Sequence, residues 1–141
     1  MSDQDIRSAF MSHLNALSFM PAPTIAWDPD KFEPTHSAPY LKPYYRQDAF
    51  VPLSTSPVQH RAQFTLEVQC WVGERDGEDE AYRLADAVSD HFFPATGDVN
   101  SITSTAGVQI HINRKPDKDP LVARPAGFKG VAVLIRGLAL I

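Results

Sequence analysis

The amino-acid sequence predicts an α+β fold, in which a mostly antiparallel sheet carries two helices packed on one face. Apolar residues recur at helical spacing in residues 3–18 and 78–93, and they alternate with polar residues in 61–72. Eight of the twelve prolines lie within residues 21–57, where they exclude a helix. The 141 residues fit a single domain, with an extended loop near residues 47–60.

The N-terminal segment, residues 3–18, has the pattern of an amphipathic helix. Its apolar stripe is formed by Ile6, Phe10, Leu14 and Leu17. Asp3 and Asp5 suit the positive end of the helix dipole. The prolines of "MPAPT" then end the helix, because proline cannot continue it.

The proline-rich segment that follows predicts two short extended pieces, "TIAWD" and "APYLKPYYRQ". Pro43 lacks an amide N–H, so the second piece is predicted to be an edge strand or a bulged strand. The next stretch, "QDAFVPLSTSP", is typical either of a mobile loop or of the tip of a long hairpin. The sequence leaves these two alternatives open.

Residues 61–72 are predicted to form a strand with one buried face, because apolar and polar residues alternate there. The apolar face comprises Ala62, Phe64, Leu66, Val68, Cys70 and Val72. The other face comprises Arg61, Gln63, Thr65, Glu67, Gln69 and Trp71. A tryptophan on this polar face indicates that the face meets something other than water.

An acidic turn, "GERDGEDE", separates this strand from the second predicted helix, residues 78–93. The apolar stripe of that helix comprises Ala81, Leu84, Ala85, Val88 and Phe92. Pro94 ends the helix. Asp76 is the predicted N-cap, with Asp79 in a position similar to that of a capping box.

The C-terminal part predicts two further strands. In the first, Val108, Ile110 and Ile112 alternate with polar residues. The loop "RKPDKDPLVARPAG" then leads to a final apolar strand around residues 128–140. The predicted element order is therefore α, β, β, β, α, β, β.

Composition and charge exclude several classes of protein. A net charge of −4 leaves no strong field to attract nucleic acid or an anionic membrane. The acidic N-terminus has no signal-peptide core, and no stretch approaches the roughly 20 apolar residues of a membrane span. The single cysteine, Cys70, excludes an intramolecular disulfide and a cysteine-rich zinc site. The prediction is a soluble protein made in the cytosol.

No catalytic, metal or cofactor site is predicted. The acidic cluster at residues 74–80 lacks the ligand offsets of a calcium loop and contains no phosphate-binding glycine motif. Cys70 shares the apolar face of its strand, where a thiol is inert packing. The five histidines show no metal-ligand spacing, and each is interpreted as a surface or packing residue. Asp86 and Asp90 are predicted to lie on a solvated helix face.

Two groups of residues suit protein contacts. A surplus of aromatic residues on irregular segments predicts either an exposed self-association surface or a second, smaller core beneath the proline-rich loops. The surplus comprises Trp27, Phe32, Tyr40, Tyr44, Tyr45, Phe50 and Trp71. The basic residues near the late loop suit either ionic contacts with a protein neighbour or a solvated hairpin, because Asp117 and Asp119 interrupt them. They are Arg114, Lys115, Lys118, Arg124 and Lys129.

Packing and turn residues follow one another in a recognisable order along most of the chain. A short "AW" strand, a "PYL" strand, a long strand ending at a glycine turn and a helix carrying "LADA" occur in succession. The positions are Ala26, Trp27, Pro39, Tyr40, Leu41, Phe64, Leu66, Val68, Val72, Gly73, Leu84, Ala85, Asp86, Ala87 and Phe92. This pattern resembles the tail terminator (tail completion) proteins of long-tailed bacteriophages and prophages. The acidic turn and the long "QDAFVPLSTSPVQH" stretch depart from it.

The resemblance implies a non-enzymatic protein without cofactors that forms a ring, typically a homohexamer, on the head-proximal end of the tail tube. It would stop tube polymerisation and present a surface to the head. The implied partners are further copies of the chain, the major tail tube protein and the head–tail connector protein. DNA would meet the ring only by passing through its lumen, and no membrane is implied. The protein would belong to the virion tail after assembly in the host bacterial cytoplasm.

Ring closure requires two different patches on each subunit. We expect the sheet edge at residues 40–46, with Trp71, to meet the late loop at 114–124 of a neighbour, and the acidic turn at 74–80 to offer complementary charge. The interface candidates are Tyr40, Tyr44, Arg46, Trp71, Glu74, Asp76, Arg114, Lys115, Lys118 and Arg124. Two other functions stay open, a head–tail joining protein and a small-molecule enzyme or binding domain beside Cys70 and His91.

Overall fold

The computed structural model describes residues 3–19, 22–27, 38–55, 58–94, 101–103, 109–112, 114–121 and 127–140. Helix α1 spans Asp3–Asn15, and α2 spans Gly77–Phe92. The strands are β1 (Thr24–Ile25), β2 (Tyr40–Thr55), β3 (Val58–Gly73), β4 (Ser101–Thr103), β5 (Gln109–Ile112), β6 (Asp117–Leu121) and β7 (Phe128–Leu140). A short 3-10 turn, Glu74–Asp76, joins β3 to α2.

The described strands form one sheet in the order β1-β2-β3-β7-β5-β4, and β6 pairs with β7. β1 runs parallel to β2, whereas the other described strand pairs are antiparallel. Both helices bury their apolar stripes in one cluster with β3 and β7 side chains, so they pack on the same face of the sheet. The predicted α+β fold is confirmed.

β2 and β3 form a long antiparallel hairpin. The sequence left a loop and a hairpin tip open for residues 47–60. The residues that the structure describes there belong to the two paired strands of this hairpin. The described residues of this stretch are therefore strand, which fits the hairpin alternative and not the extended loop predicted near 47–60. Register shifts typical of β-bulges follow Gln47 and Pro52. Pairing satisfies backbone groups that a loop would leave to water.

Pro43 explains where the short β1 ladder ends. The Thr24 amide donates to the Pro39 carbonyl at 3.1 Å, and the Ala26 amide donates to the Leu41 carbonyl at 2.8 Å. The next rung of a parallel ladder needs the N–H of residue 43, which proline lacks. Beyond Leu41, the outer side of β2 has no strand partner in the described part of the chain. The prediction that Pro43 marks an edge strand is confirmed.

The main core lies between the two helices and the sheet. The side chains of each predicted apolar stripe are buried there, namely Ile6, Phe10 and Leu14 of α1, Phe64, Leu66, Val68, Cys70 and Val72 of β3, and Ala81, Leu84, Ala85, Val88 and Phe92 of α2. Leu17 lies beyond the end of α1 and is half-buried against the same cluster. The Ala62 side chain and Val108, which were also predicted to face the core, lie outside the described residues. For the other residues, the helical and strand periodicities predicted the core faces correctly.

Phe10 lies at the centre of this core. Its ring meets Phe64 edge-on at a centroid distance of 4.6 Å. It also lies 6.1 Å from the ring of Phe92 and 6.2 Å from that of Tyr45. One α1 side chain therefore joins α2 and both arms of the hairpin.

A second, smaller core lies on the opposite face of the sheet. It contains Tyr40, Trp71 and Phe128, with Leu121 of β6 packed against it. The Trp71 indole covers its cross-strand partner Gly130, where an added Cβ would lie 2.4 Å from the ring. Trp71 is therefore buried on the predicted polar face because a glycine on the next strand makes room for it.

Three local features differ from the sequence predictions. β6 lies inside the predicted late loop and pairs with β7, and β4 pairs with β5. The sequence of β6, "DKDPL", does not alternate apolar and polar residues, so its periodicity did not predict a strand. Asp76 occupies the N-cap position of α2, as predicted, but it has helical dihedral angles (φ −75°, ψ −21°) and its side chain makes no capping hydrogen bond.

Candidate subunit interface

The sheet face that points away from the helices, called the open face below, is largely polar. Along β2 it presents Lys42, Tyr44 and Arg46, along β3 Gln63, Thr65, Glu67 and Gln69, along β7 Leu134, Arg136 and Leu138, and along β6 Asp117 and Asp119. Apart from Thr65, which is buried, these residues are half-buried or exposed. The period of two places them there, because their neighbours in sequence point toward the helices.

Some of the surplus aromatic residues form the predicted second core, and others are exposed as a self-association surface would require. Tyr40 is 1% exposed and Trp71 is 3% exposed, so both belong to the second core. Burial also raises the pKa of the Tyr40 phenol to about 12. Little of either side chain is left for a neighbour, and their role as contact residues stays a prediction. Trp27 and Tyr44 are exposed, whereas Phe32 and the Phe50 side chain lie outside the described residues.

The acidic turn is solvated. Glu74 and Asp76 are exposed, and the Glu74 amide donates to the Gly127 carbonyl at 2.8 Å, which fixes the turn beside the start of β7. Glu78 shares a small cleft of about 140 Å³ with Leu121 of β6. The acidic turn and the late segment therefore lie side by side within one protomer.

The basic candidates of the late segment make ion pairs inside the protomer. Arg114 Nη2 donates to Asp117 Oδ2 at 2.8 Å, and Lys118 Nζ donates to Asp86 Oδ1 on α2. Lys115 is exposed, and Arg124 lies outside the described residues. The complementary charge that the sequence assigned to a neighbouring subunit is thus supplied in part by the same chain.

Asp117 also binds the guanidinium of Arg136, whose Nη1 donates to Oδ2 at 2.5 Å. This hydrogen bond, together with that from Arg114, lowers the pKa of the Asp117 carboxyl. The pair is solvent-exposed, so it orients β6 on β7 more than it stabilises the fold.

Cys70 does not line a groove. Its side chain is fully buried in the main core, and the thiol Sγ donates weakly to the Val68 carbonyl at 3.7 Å. Burial raises the pKa of the thiol, so the sulfur stays protonated and unreactive. The interpretation of Cys70 as packing is confirmed, and the alternative site beside Cys70 and His91 loses its nucleophile.

Two histidines form a pair that sequence spacing did not reveal. His13 Nε2 lies 2.9 Å from the His91 carbonyl oxygen, and His91 Nε2 lies 2.6 Å from the His13 carbonyl oxygen. The rings stack at a centroid distance of 4.1 Å. Because a carbonyl only accepts, each Nε2 carries the donated proton. The sequence feature that could have indicated this pair is that each histidine lies in the last turn of its predicted helix.

Acidification from pH 7.5 to 5.5 is expected to lower the free energy of unfolding through His13. Burial, and then the charge of His91, lower the His13 pKa, although the hydrogen bond to the His91 carbonyl opposes them. The unfolded chain therefore binds more protons below its ordinary pKa of 6.5, so this stability is present above that pH and lost below it. Urea unfolding at both pH values measures the loss.

Two variants test whether His13 is the source of this pH dependence. His13→Gln should reduce the pH dependence of the free energy of unfolding, whereas His111→Gln should retain it. An unchanged pH dependence in His13→Gln would contradict the assignment to His13.

Among the residues that the structure describes, no group of three or more His, Cys, Asp or Glu side chains is arranged to hold a metal ion. Over the same residues, neither helix is long and apolar enough to cross a membrane.

Two helices on one face of an antiparallel sheet, with a polar open face on the other side, define a small α+β protein that presents a sheet surface. The chain belongs to the phage tail terminator protein family, whose pattern matches residues 5–133. A solved structure of a protein without a functional name is 22% identical, with a TM-score of 0.68, and the match covers 99% of this chain and 96% of that one. That likeness shows a shared fold. No curated protein matches the chain significantly.

Proposed function

We propose that the protein is a structural tail terminator that forms a ring, a homohexamer, on the head-proximal end of the tail tube. Membership of the family makes it a component of a phage tail. Its specific role within the tail is to stop tube polymerisation and to offer the surface on which the head attaches. Its partners are the major tail tube protein and the head–tail connector protein, and DNA passes through the lumen of the ring. The ring assembles in the host bacterial cytoplasm and works without a cofactor or catalysis.

This proposal is based on one observation, that the two edges of the sheet are formed by different strands and present different side chains. One edge is formed by the short strand β1 and the part of β2 that carries exposed Tyr44 and Arg46, and the other is formed by the short strands β4 and β6. A contact between unlike patches is heterologous, and such contacts close into rings when the rotation between subunits permits. A symmetric dimer would instead use one self-complementary patch twice.

The late segment with Arg114, Lys115 and Lys118 and the acidic turn with Glu74 and Asp76 complete the proposed contact region. Exposure of most of these side chains supports the assignment. Arg114 and Lys118 make ion pairs within the protomer, so they help to hold the late segment in place as well as adding charge to the surface.

The decisive experiment adds the purified protein to growing tail tubes of the same phage. We expect light scattering and electron microscopy to show closed rings, and the tubes to stop growing with a ring at one end. Bovine serum albumin at the same concentration is the control. Tubes that grow equally long with and without the protein would overturn the terminator role. Binding to filled heads but not to tube ends would favour a head–tail joining protein.

A further inference from the structure

We propose that Trp27 of one subunit inserts into the cleft between α2 and β6 of the next subunit and anchors the contact that closes the ring. This contact depends on the ring assembly proposed above and identifies the side chain that carries it. Trp27 is 44% exposed, the highest exposure among the large hydrophobic side chains of the described residues. Tryptophan is among the residues that contribute most binding energy at protein interfaces.

Trp27 and the cleft lie at opposite edges of the sheet but on the same side of it. Trp27 follows β1, the first strand of the sheet, and shares an open groove with Met11 and Asn15 of α1. The cleft lies beyond β7, where β6 meets Glu78 and Ala81 of α2. Both features are therefore on the helix side of the sheet. Subunits that follow one another in the same orientation around a ring bring one edge of each beside the opposite edge of the next.

The cleft offers an aromatic side chain a suitable volume and suitable polar partners. Its volume is about 140 Å³, and a cavity of about 150 Å³ holds a benzene ring. Glu78 and Lys129 both line the cleft, and neither makes an ion pair within the described residues. A carboxylate accepts a hydrogen bond from an indole N–H, and an ammonium group is attracted to the face of an indole ring. Trp27 can therefore use both charges at once.

Apolar surface at the cleft comes from Pro120, which is exposed, and from Leu121, which is half-buried. Pro120 lies opposite Val131, a residue of the main core, so its ring points to the helix side. Tyr44 is the other exposed large hydrophobic side chain of the described residues, but it lies on the open face. In subunits that share one orientation, Trp27 is thus the exposed aromatic residue on the same side as the cleft.

A photoreactive side chain in place of Trp27 tests the contact. The full chain carrying benzoylphenylalanine there is mixed with isotope-labelled wild-type protein, added to tail tubes of the same phage and irradiated. Within one protomer β2, β3 and β7 separate β1 from β6 by about 19 Å, so Trp27 does not reach the cleft of its own chain. We expect mass spectrometry to find cross-links to labelled peptides that contain Glu78 or Pro120. Benzoylphenylalanine in place of Tyr44 is the matched control and should not label these peptides.

Truncation and charge variants test the anchor. Trp27→Ala and Glu78→Lys are each expected to raise the concentration for half-maximal assembly at least about tenfold, because each removes one side of the contact. Asp79→Lys makes the same charge change on the next residue of α2, which does not line the cleft, and should change this concentration by no more than about twofold. Far-ultraviolet circular dichroism checks that each variant folds.

The outcomes separate this contact from the function it depends on. Cross-links to the cleft of a second chain, with weaker assembly of Trp27→Ala and Glu78→Lys, support the anchor. Closed rings of Trp27→Ala at the wild-type concentration, cross-links confined to other surfaces, or equal weakening by Glu78→Lys and Asp79→Lys overturn the anchor and leave the ring intact. Absence of any oligomer, both in solution and on tail tube ends, overturns the ring and the anchor with it.

Discussion

Phe10→Ala is expected to lower the free energy of unfolding by about 3–5 kcal/mol. Phe10 is 0% exposed and contacts the rings of Phe64, Phe92 and Tyr45, which come from three different elements. Those elements are held by the hairpin ladder and by α2, so they cannot collapse into the space that the ring leaves. A domain of this kind is stable by about 5–15 kcal/mol in total, so the loss is a large fraction.

Urea unfolding followed by circular dichroism measures the Phe10→Ala effect. Arg7→Ala is the matched control, because Arg7 lies on the exposed side of the same helix. We expect the control to change the free energy of unfolding by no more than about 0.5 kcal/mol. A Phe10→Ala variant as stable as the Arg7→Ala variant would show that α1 does not anchor the core.

Gly137→Ala is expected to destabilise the fold by about 2–3 kcal/mol, because the site has no room for a methyl group. A Cβ there would lie 2.6 Å from the His111 carbonyl oxygen and 2.6 Å from Phe64 Cζ. The carbonyl belongs to the neighbouring strand β5, which pairs with β7 at this point. Relief therefore requires the two strands to separate, and not merely a side chain to rotate.

The comparison variant is Gly130→Ala, where the three nearest atoms to an added Cβ all belong to the Trp71 ring. Truncation of that ring in Trp71→Leu should remove part of the penalty of Gly130→Ala. Truncation of Phe64 should not rescue Gly137→Ala, because the backbone contact with His111 remains. Double-mutant cycles on thermal unfolding measure both couplings. Equal rescue at the two glycines would refute the backbone explanation.

Periodicity predicted the elements that bury one continuous apolar stripe. α1, α2, β3 and β5 were found in this way, because each alternates apolar and polar residues at the period of its own backbone, whereas β7 was found as a continuous apolar run. Pro43 likewise marked an edge strand, since a missing N–H is a local property of the residue. The family resemblance depended on these same packing and turn positions.

Periodicity did not reveal β6, and it gave no account of what buries Trp71. β6 is a charged strand held by its pairing with β7 and by the ion pairs of Asp117 and Lys118. Trp71 is buried on a polar face because Gly130, far away in sequence, lies opposite it. Such facts depend on which strands become neighbours, and a local pattern contains no information about that.

The same division applies to the candidate interface. The sequence by itself determined the fold class, the helix-facing core and a β2 edge at Pro43, because these follow from residue types and their spacing. Only the tertiary structure decided which charges stay available to a neighbour. It pairs Lys118 with Asp86 and Arg136 with Asp117, residues that are distant in sequence and that the folded sheet brings together. A charge that is paired inside the protomer is partly neutralised before it meets a neighbour, even where its side chain is exposed.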